Sequence, residues 1–443
     1  MFRFQHSIFS ILLICLFIIC CRKERFTTNP SDIPEFSVDT LSFDTVFTTI
    51  GSATLSFKIY NRKKDFISIS SLKLSGGDQN HFKLNVDGIP GTSFSDIELR
   101  PEDSIYVFCE VKINPADPLS ISPFIIQDSI ICISNSVTQK ILLDARGQNA
   151  NYFPSKSNKG QIAEIDLMNQ TLVWDDPKPY IIYGIVYLDH GCLEIKEGTR
   201  LHFFGGVTKA NDSNGNTFFY NDGRLIIGSD ATIKIKGSKS KPIILEGVRL
   251  EESFKNIPGQ WSGLFIDKYS KGNEINYSTI KNNLIGIYFD SLSEGKINNS
   301  IFYNNTYNGI AGYSSSIEVN NCLFYNQGQS SVSLQCGGNY IFNYCTMANI
   351  GNDDVSTFVS NNFCMDPPFC QFYTKKDLNT EFTNCIFTGS NSDEFYISVD
   401  PDKSFRFDLK LDHCLLKIKD LIKPSVHPEF MQDYTFSCYR WDA

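Results

Sequence analysis

The chain has no run of eighteen apolar residues, no cluster of Lys and Arg, no cysteine pair spaced C-x-x-C, and only six histidines among 443 residues. Each absence excludes something. Without a long apolar run there is no spanning helix. With 49 acidic against 40 basic residues, a charge of -9 and the basic ones scattered, nothing is gathered to displace counterions from a phosphate backbone, so nucleic acid is not the partner. Without paired Cys or His ligands the sequence points to no metal and to no cofactor.

What is present is globular composition, 42% hydrophobic and 20% charged, in a chain long enough for two or three domains. Residues 1–20 hold Arg3 and a charge-free run from Ile8 to Ile19, too short for a bilayer but right for a secretory signal. The following Cys20-Cys21 resembles a bacterial lipobox, with Cys21 as acceptor, Cys20 the small residue before it and Ile18 at minus three. That resemblance implies an outer-membrane lipoprotein of a Gram-negative cell envelope, held on the membrane by acyl chains, on its periplasmic or its surface face. Loss of residues 1–20 leaves 39 basic against 49 acidic residues. Residues 21–35 are polar and read as a linker.

From 36 to 150, strand-like runs recur about every ten residues: Ala53 to Tyr60, Ile67 to Leu74, Phe82 to Val86, Ser104 to Ile113, Gln127 to Ile133 and Lys140 to Leu143. Turn residues separate them, which predicts an antiparallel sandwich. Gly51-Ser52, Asn61, Leu99-Arg100-Pro101, Ile113-Asn114-Pro115 and Leu142 to Gly147, in that order, resemble the immunoglobulin-like domains of the abnormal-spindle and hydin type. In that family the domain is a spacer or docking module.

Residues 151–179 read as linker and N-terminal cap, and 180–443 carry a repeat. Ile275-Asn-Tyr-Ser-Thr-Ile-Lys-Asn, Ile297-Asn-Asn-Ser-Ile-Phe-Tyr-Asn, Val319-Asn-Asn-Cys-Leu-Phe-Tyr-Asn and Phe342-Asn-Tyr-Cys-Thr-Met-Ala-Asn follow at spacings of 22, 22 and 23, with further copies at Phe382 and Leu411. Short strands and turns at that period, without a helical pattern, predict the coils of a parallel β-helix. Stacking would then put Ser278, Ser300, Cys322, Cys345, Cys385 and Cys414 in one inward column and Ile280, Phe302, Phe324, Met347, Phe387 and Leu416 in another. Asn282, Asn304, Asn326 and Asn349 would form an asparagine ladder. Trp174, Pro179-Tyr180, the Glu197-Gly-Thr turn, Arg249 followed by Pro258-Gly-Gln-Trp-Ser-Gly, and His427-Pro-Glu-Phe430 resemble right-handed β-helix lipoproteins of the pectin-lyase-like fold. Most of that family have no assigned activity, and relatives continue past the place of Ala443, which implies a C-terminal cap left incomplete or supplied by a partner.

The expected fold class is therefore all-β, an immunoglobulin-like sandwich followed by a right-handed parallel β-helix. Catalysis on such a rod needs carboxylates recurring at coil spacing on one outer strand, with a basic residue for a lyase or two acids a water apart for an inverting hydrolase. Adjacent acids occur at Asp175-Asp176 and Asp353-Asp354 without matches a coil away, and Asn-Thr-Asp and Gly-His-Gly signatures are missing. The reading is a non-catalytic rod binding a glycan or another outer-membrane protein, with a polysaccharide lyase or hydrolase and a subunit of an outer-membrane complex as alternatives. Three carboxylates with a Lys or Arg on one outer strand would tell against binding alone. Tyr303 and Tyr325, outward in adjacent coils, and Asp353 and Asp354, in an insertion at 351–380, form the candidate ligand surface. Cys364 and Cys370 are the disulfide candidate, with Cys109 and Cys132 behind them.

Overall fold

A computed structural model describes residues 25–441 apart from 49, 53, 78–80, 114–123, 155–161, 206, 212–216, 352–353 and 365–372. The signal segment and Cys21 therefore lie outside the described residues, as do Asp353, Cys370 and the side chain of Cys364. No helix among the described residues is long and apolar enough to cross a membrane. The chain divides into two units, at residues 1–149 and 150–443.

The first unit is a two-sheet β-sandwich. Strands Glu35–Phe36, Leu55–Tyr60, Ser104–Val111, Phe82–Val86 and Ile89–Gly91 form one antiparallel sheet. The other is built on Ile67–Leu74, Phe124–Ser134 and Val137–Gln148, with Thr40–Phe47 added in parallel to the last of these, a strand the sequence had not marked. Alternating residues turn inward, as in the buried, exposed, buried sequence of Phe82–Val86, so Phe57, Ile69, Phe82 and Val107 meet in one core. Cys109 and Cys132 belong to this core as free thiols, and burial raises both to about 12. They do not form the disulfide considered above: each packs as a small apolar side chain.

The second unit is a parallel β-helix. Each coil supplies three short strands, and each strand pairs in parallel with its counterpart one coil on. In one coil these are Ile287–Phe289, Glu294–Asn298 and Ile301–Asn305; in the next, Ile310–Tyr313, Ser316–Asn320 and Leu323–Gln327. The three stacks are called here the first, second and third sheet. The segment expected to be linker and cap already contains strands, Asn151–Phe153 and Ile162–Trp174, which pair with Tyr180–Tyr183 and Ile185–Lys196. The insertion departs from the coil at a hairpin of Asn362–Cys364 with Tyr373–Lys375; Thr357–Ser360 before it and Leu378–Thr383 after it remain in the first and second sheets.

The turn from second to third sheet depends on one residue of positive φ per coil: Tyr277 (46°), Asn299 (52°), Asn321 (52°), Tyr344 (57°), Asn384 (53°) and His413 (51°). Asparagine suits that left-handed conformation because its short amide bonds locally. The next residue then points inward, which creates the small-residue column. Ser278, Ser300, Cys322, Cys345, Cys385 and Cys414 are all buried there, each rung tied to the next by a backbone N–H, as from Ser278 to Ser300 Oγ (3.1 Å) and from Ser300 to Cys322 Sγ (3.4 Å). Cys438 extends the column one coil further, accepting the Cys414 N–H at 3.2 Å. Two residues on, Phe302 and Phe324 stack at 4.8 Å in the bore with Ile280, Met347, Phe387 and Leu416, all fully buried. Burial of each such side chain contributes about 1.5–3 kcal/mol.

The expected asparagine ladder forms at a different position. Asn326 bonds to Asn304 (3.3 Å), but Asn282 donates to Lys255 O and Asn349 to Gln329 O. The continuous ladder runs through Asn276, Asn298, Asn320 and Asn343, at 2.7, 2.9 and 2.9 Å, because these outward residues stand in strict register at the ends of second-sheet strands. The motifs that carry the family resemblance are packing devices. Trp261 lies buried on Phe203 at 3.8 Å, and a Cβ at Gly263 (φ 134°) would stand 1.9 Å from Ile285 O. Trp174 stacks on Tyr180, and Phe430 is buried at the start of the short helix Phe430–Tyr434.

Candidate functional site

Residues immediately before the inward apolar residue of each second-sheet strand point outward. In register along the rod they read Glu194, Lys234, Glu274, Lys296, Glu318, Ile341, Glu381 and Lys410. Sign alternates from coil to coil except at Ile341, and neighbours pair: Lys234 with Glu274 at 2.6 Å, Lys296 with Glu318 at 2.8 Å, Lys410 with Glu381 at 2.7 Å. One strand position earlier on the same face, Glu294 meets Lys271 at 2.9 Å. Hydrogen bonds from Lys296 and Asn320 hold the Glu318 carboxyl below its ordinary range. Two adjoining hollows of about 370 and 880 Å³ cover this face and share Glu294, Ser316 and Asn339, making one groove that crosses several coils. Tyr269 and Phe405 stand exposed along it.

Acids therefore do recur on one outer strand, at every second coil from Glu274 to Glu318 and in alternation with lysines, away from the adjacent pairs Asp175-Asp176 and Asp353-Asp354. The signal was present, one residue ahead of the aligned repeat.

The third sheet carries a second outward column. Tyr303 and Tyr325 are adjacent in it, half-buried and stacked at 4.8 Å with 5° between ring planes. The column continues to Lys281, whose Nζ is 5.6 Å from the Tyr303 ring, then to Glu246 and His202. Lys281 meets Glu246 at 2.8 Å and His202 Nδ1 lies 3.6 Å from the other carboxylate oxygen, all three nearly buried. Burial drives the His202 pKa down to about 4, so the ring is neutral at pH 7. Burial opposes the charged form of Lys281, yet Glu246 holds its pKa above the ordinary value. Sequence spacing hid this group, since insertions separate its members by 44 and 35 residues.

Asp354 is exposed in the turn after Thr346–Asn349, where its carbonyl accepts from Asn349 and Asn391. Asp189, His190 and Asp230 bring one ligand atom each within 4.8 Å, the one such group found among the described residues, although the sequence pointed to no metal. His190 Nδ1 also faces Asp166 at 3.4 Å and Asp189 at 3.3 Å, so an N–H there can bridge the acids without an ion. In the sandwich a hollow of about 720 Å³ is walled by Leu84, Pro90 and Phe108 with Lys83 and Glu110 at its side.

No protein-family model and no curated protein matches the chain. Among solved structures, the catalytic unit of a family 87 α-1,3-glucanase from Streptomyces thermodiastaticus aligns at 8% identity over 82% of this chain and 80% of that one, with a TM-score of 0.25. A family 123 glycoside hydrolase from Clostridium perfringens aligns at 12% identity over 31% of this chain, with a TM-score of 0.20. A protein of unknown function from Porphyromonas gingivalis aligns at 9% over 31%, with a TM-score of 0.21. This chain spans 26% and 59% of the lengths of the last two. The neighbours thus include glycoside hydrolases at low identity.

Proposed function

We propose that this protein acts on a polysaccharide lying along the second-sheet groove. The observation that supports it is the convergence there of Glu274, Glu294, Glu318 and Glu381 with Lys296, beside a ladder of four asparagine amides. Such a face offers hydrogen-bond acceptors and donors at one-coil intervals along an open groove, which suits a chain of repeating hydroxylated units. Three carboxylates with a lysine on one outer strand, Glu274, Glu318 and Glu381 with Lys296, tell against binding alone. Against turnover stands the pairing of each of these acids with an ammonium group, which leaves none of them without an ion-pair partner to act on a glycosidic bond. The stacked Tyr303 and Tyr325 form a second ligand surface on the third sheet. Lipidation at Cys21 would hold the rod on the outer membrane, and a subunit role in an envelope complex remains the competing reading for the same surfaces.

The test takes the full chain, purified in mild detergent, through a panel of polysaccharides. Retarded migration in polysaccharide gels reports binding, and new reducing ends or an unsaturated-uronate absorbance report cleavage. Binding lost in Glu294→Gln and Glu318→Gln supports the groove. A protein that binds and cleaves no polysaccharide, and copurifies with a stable envelope partner, replaces this reading with the subunit one.

A further inference from the structure

We infer that the polysaccharide taken by the second-sheet groove is an uncharged one, an inference that rests on the carbohydrate reading above. Five carboxylates line the groove, Glu274, Glu294, Glu318, Asp377 and Glu381. Each has a cation close by: Lys234 at 2.6 Å, Lys271 at 2.9 Å, Lys296 at 2.8 Å, Arg406 at 3.1 Å and Lys410 at 2.7 Å. Lys376 is the one lining cation outside these ion pairs among the described residues.

A polyuronate or sulfated chain gains affinity where cations stand in excess along its path. Here, Lys376 apart, it would have to break an existing ion pair for each lysine it used, and every pair so broken would leave a carboxylate facing a polyanion. Like charges in one groove cost what the new contact returns. A neutral sugar chain faces no such conflict. Its hydroxyls donate to the carboxylate oxygens and accept from ammonium and amide N–H groups while the ion pairs stay in place. In the Asn276–Asn298–Asn320–Asn343 ladder, Asn320 gives its second N–H to Glu318, while Asn298 and Asn343 each spend one N–H along the rod and keep another to donate to a hydroxyl. Exposed Tyr269 and Phe405 offer ring faces to the C–H faces of sugars.

The experiment compares neutral polymers (β-glucan, α-glucan, xylan, mannan) with polyanions (polygalacturonate, alginate, chondroitin sulfate), using the full chain in detergent at low and high salt. At least one neutral polymer is expected to bind, with affinity changing less than about threefold across the salt range because no net charge is neutralised. The double variant Glu274→Gln, Glu318→Gln, checked for an unchanged melting curve, frees Lys234 and Lys296 and is expected to gain polyanion binding of about tenfold or more at low salt, lost at high salt. Wild-type preference for a polyanion, with affinity falling steeply in salt, overturns the inference and leaves the carbohydrate reading standing. A folded double variant with no gain also counts against it. Binding to none of the polymers overturns the carbohydrate reading itself.

Discussion

Lys281 Nζ stands 2.8 Å from Glu246 Oε2, and the two residues come from consecutive coils although 35 residues separate them in sequence. Both side chains are about nine-tenths buried. Lys281→Met should lower stability by about 3 kcal/mol, because it leaves a buried carboxylate without its cation. Adding Glu246→Gln should recover a large part of that loss. Urea midpoints of Lys281→Met, Glu246→Gln and the double variant measure the coupling. The exposed Lys296–Glu318 pair serves as control, and Lys296→Met should cost less than about 1 kcal/mol.

His202 gives the rod a pH dependence. Its folded-state pKa of about 4 lies below the ordinary 6.5, so the unfolded chain binds more protons between those values. Stability is therefore complete above about pH 6.5 and lost as pH falls toward 4, by at most about 3 kcal/mol. His202→Gln should remove that slope. Thermal midpoints of the two proteins at pH 7 and pH 4.5 should converge at the lower value; parallel losses in both would assign the slope to other groups.

The thiol column should tolerate hydroxyls and resist bulk. Ser278 and Ser300 already occupy it, and Ser300 Oγ both accepts the Ser278 N–H (3.1 Å) and donates to Asn298 O (2.9 Å). Cys345→Ser is expected to cost less than about 1 kcal/mol, whereas Cys345→Leu overpacks the bore and costs about 1–3 kcal/mol. The thiols of Cys322, Cys345, Cys385 and Cys414, all buried, should stay unreactive to an aromatic disulfide reagent until the protein is unfolded.

At the corner between second and third sheets, Asn299 holds a φ of 52° and its Oδ1 accepts from Asn321 at 2.7 Å. Asn299→Val should cost about 1–2 kcal/mol through the left-handed backbone alone, and Asn299→Gly distinctly less. Chemical denaturation of the pair separates backbone strain from the lost hydrogen bond.

The repeat made much of this legible. Alignment on Ile275, Ile297, Val319 and Phe342 placed the coil, the small column and the large apolar column, since inward residues must match those above and below them. The same alignment also held the charge column, because Glu274, Lys296 and Glu318 sit one place ahead of the aligned residues. Adjacency along the chain does not reveal that column, because its members are neighbours only across coils. At Asn282 and its equivalents the residues also repeat, but the local contacts of Asn282 and Asn349 draw them out of line and no continuous ladder forms there.

By itself, then, the sequence determined the period, the bore and the residue types allowed at each corner, because those are set by local backbone preference and by the demand that stacked coils fill a narrow interior. Only the tertiary structure decided which side chains share an outer face. His202, Glu246 and Lys281 meet because insertions of unequal length loop out between coils while the sheet register carries on across them. Among the groove ion pairs, Lys296–Glu318 follows the repeat at 22 residues, whereas Lys234–Glu274 at 40 and Glu381–Lys410 at 29 meet only because the register carries on across longer coils.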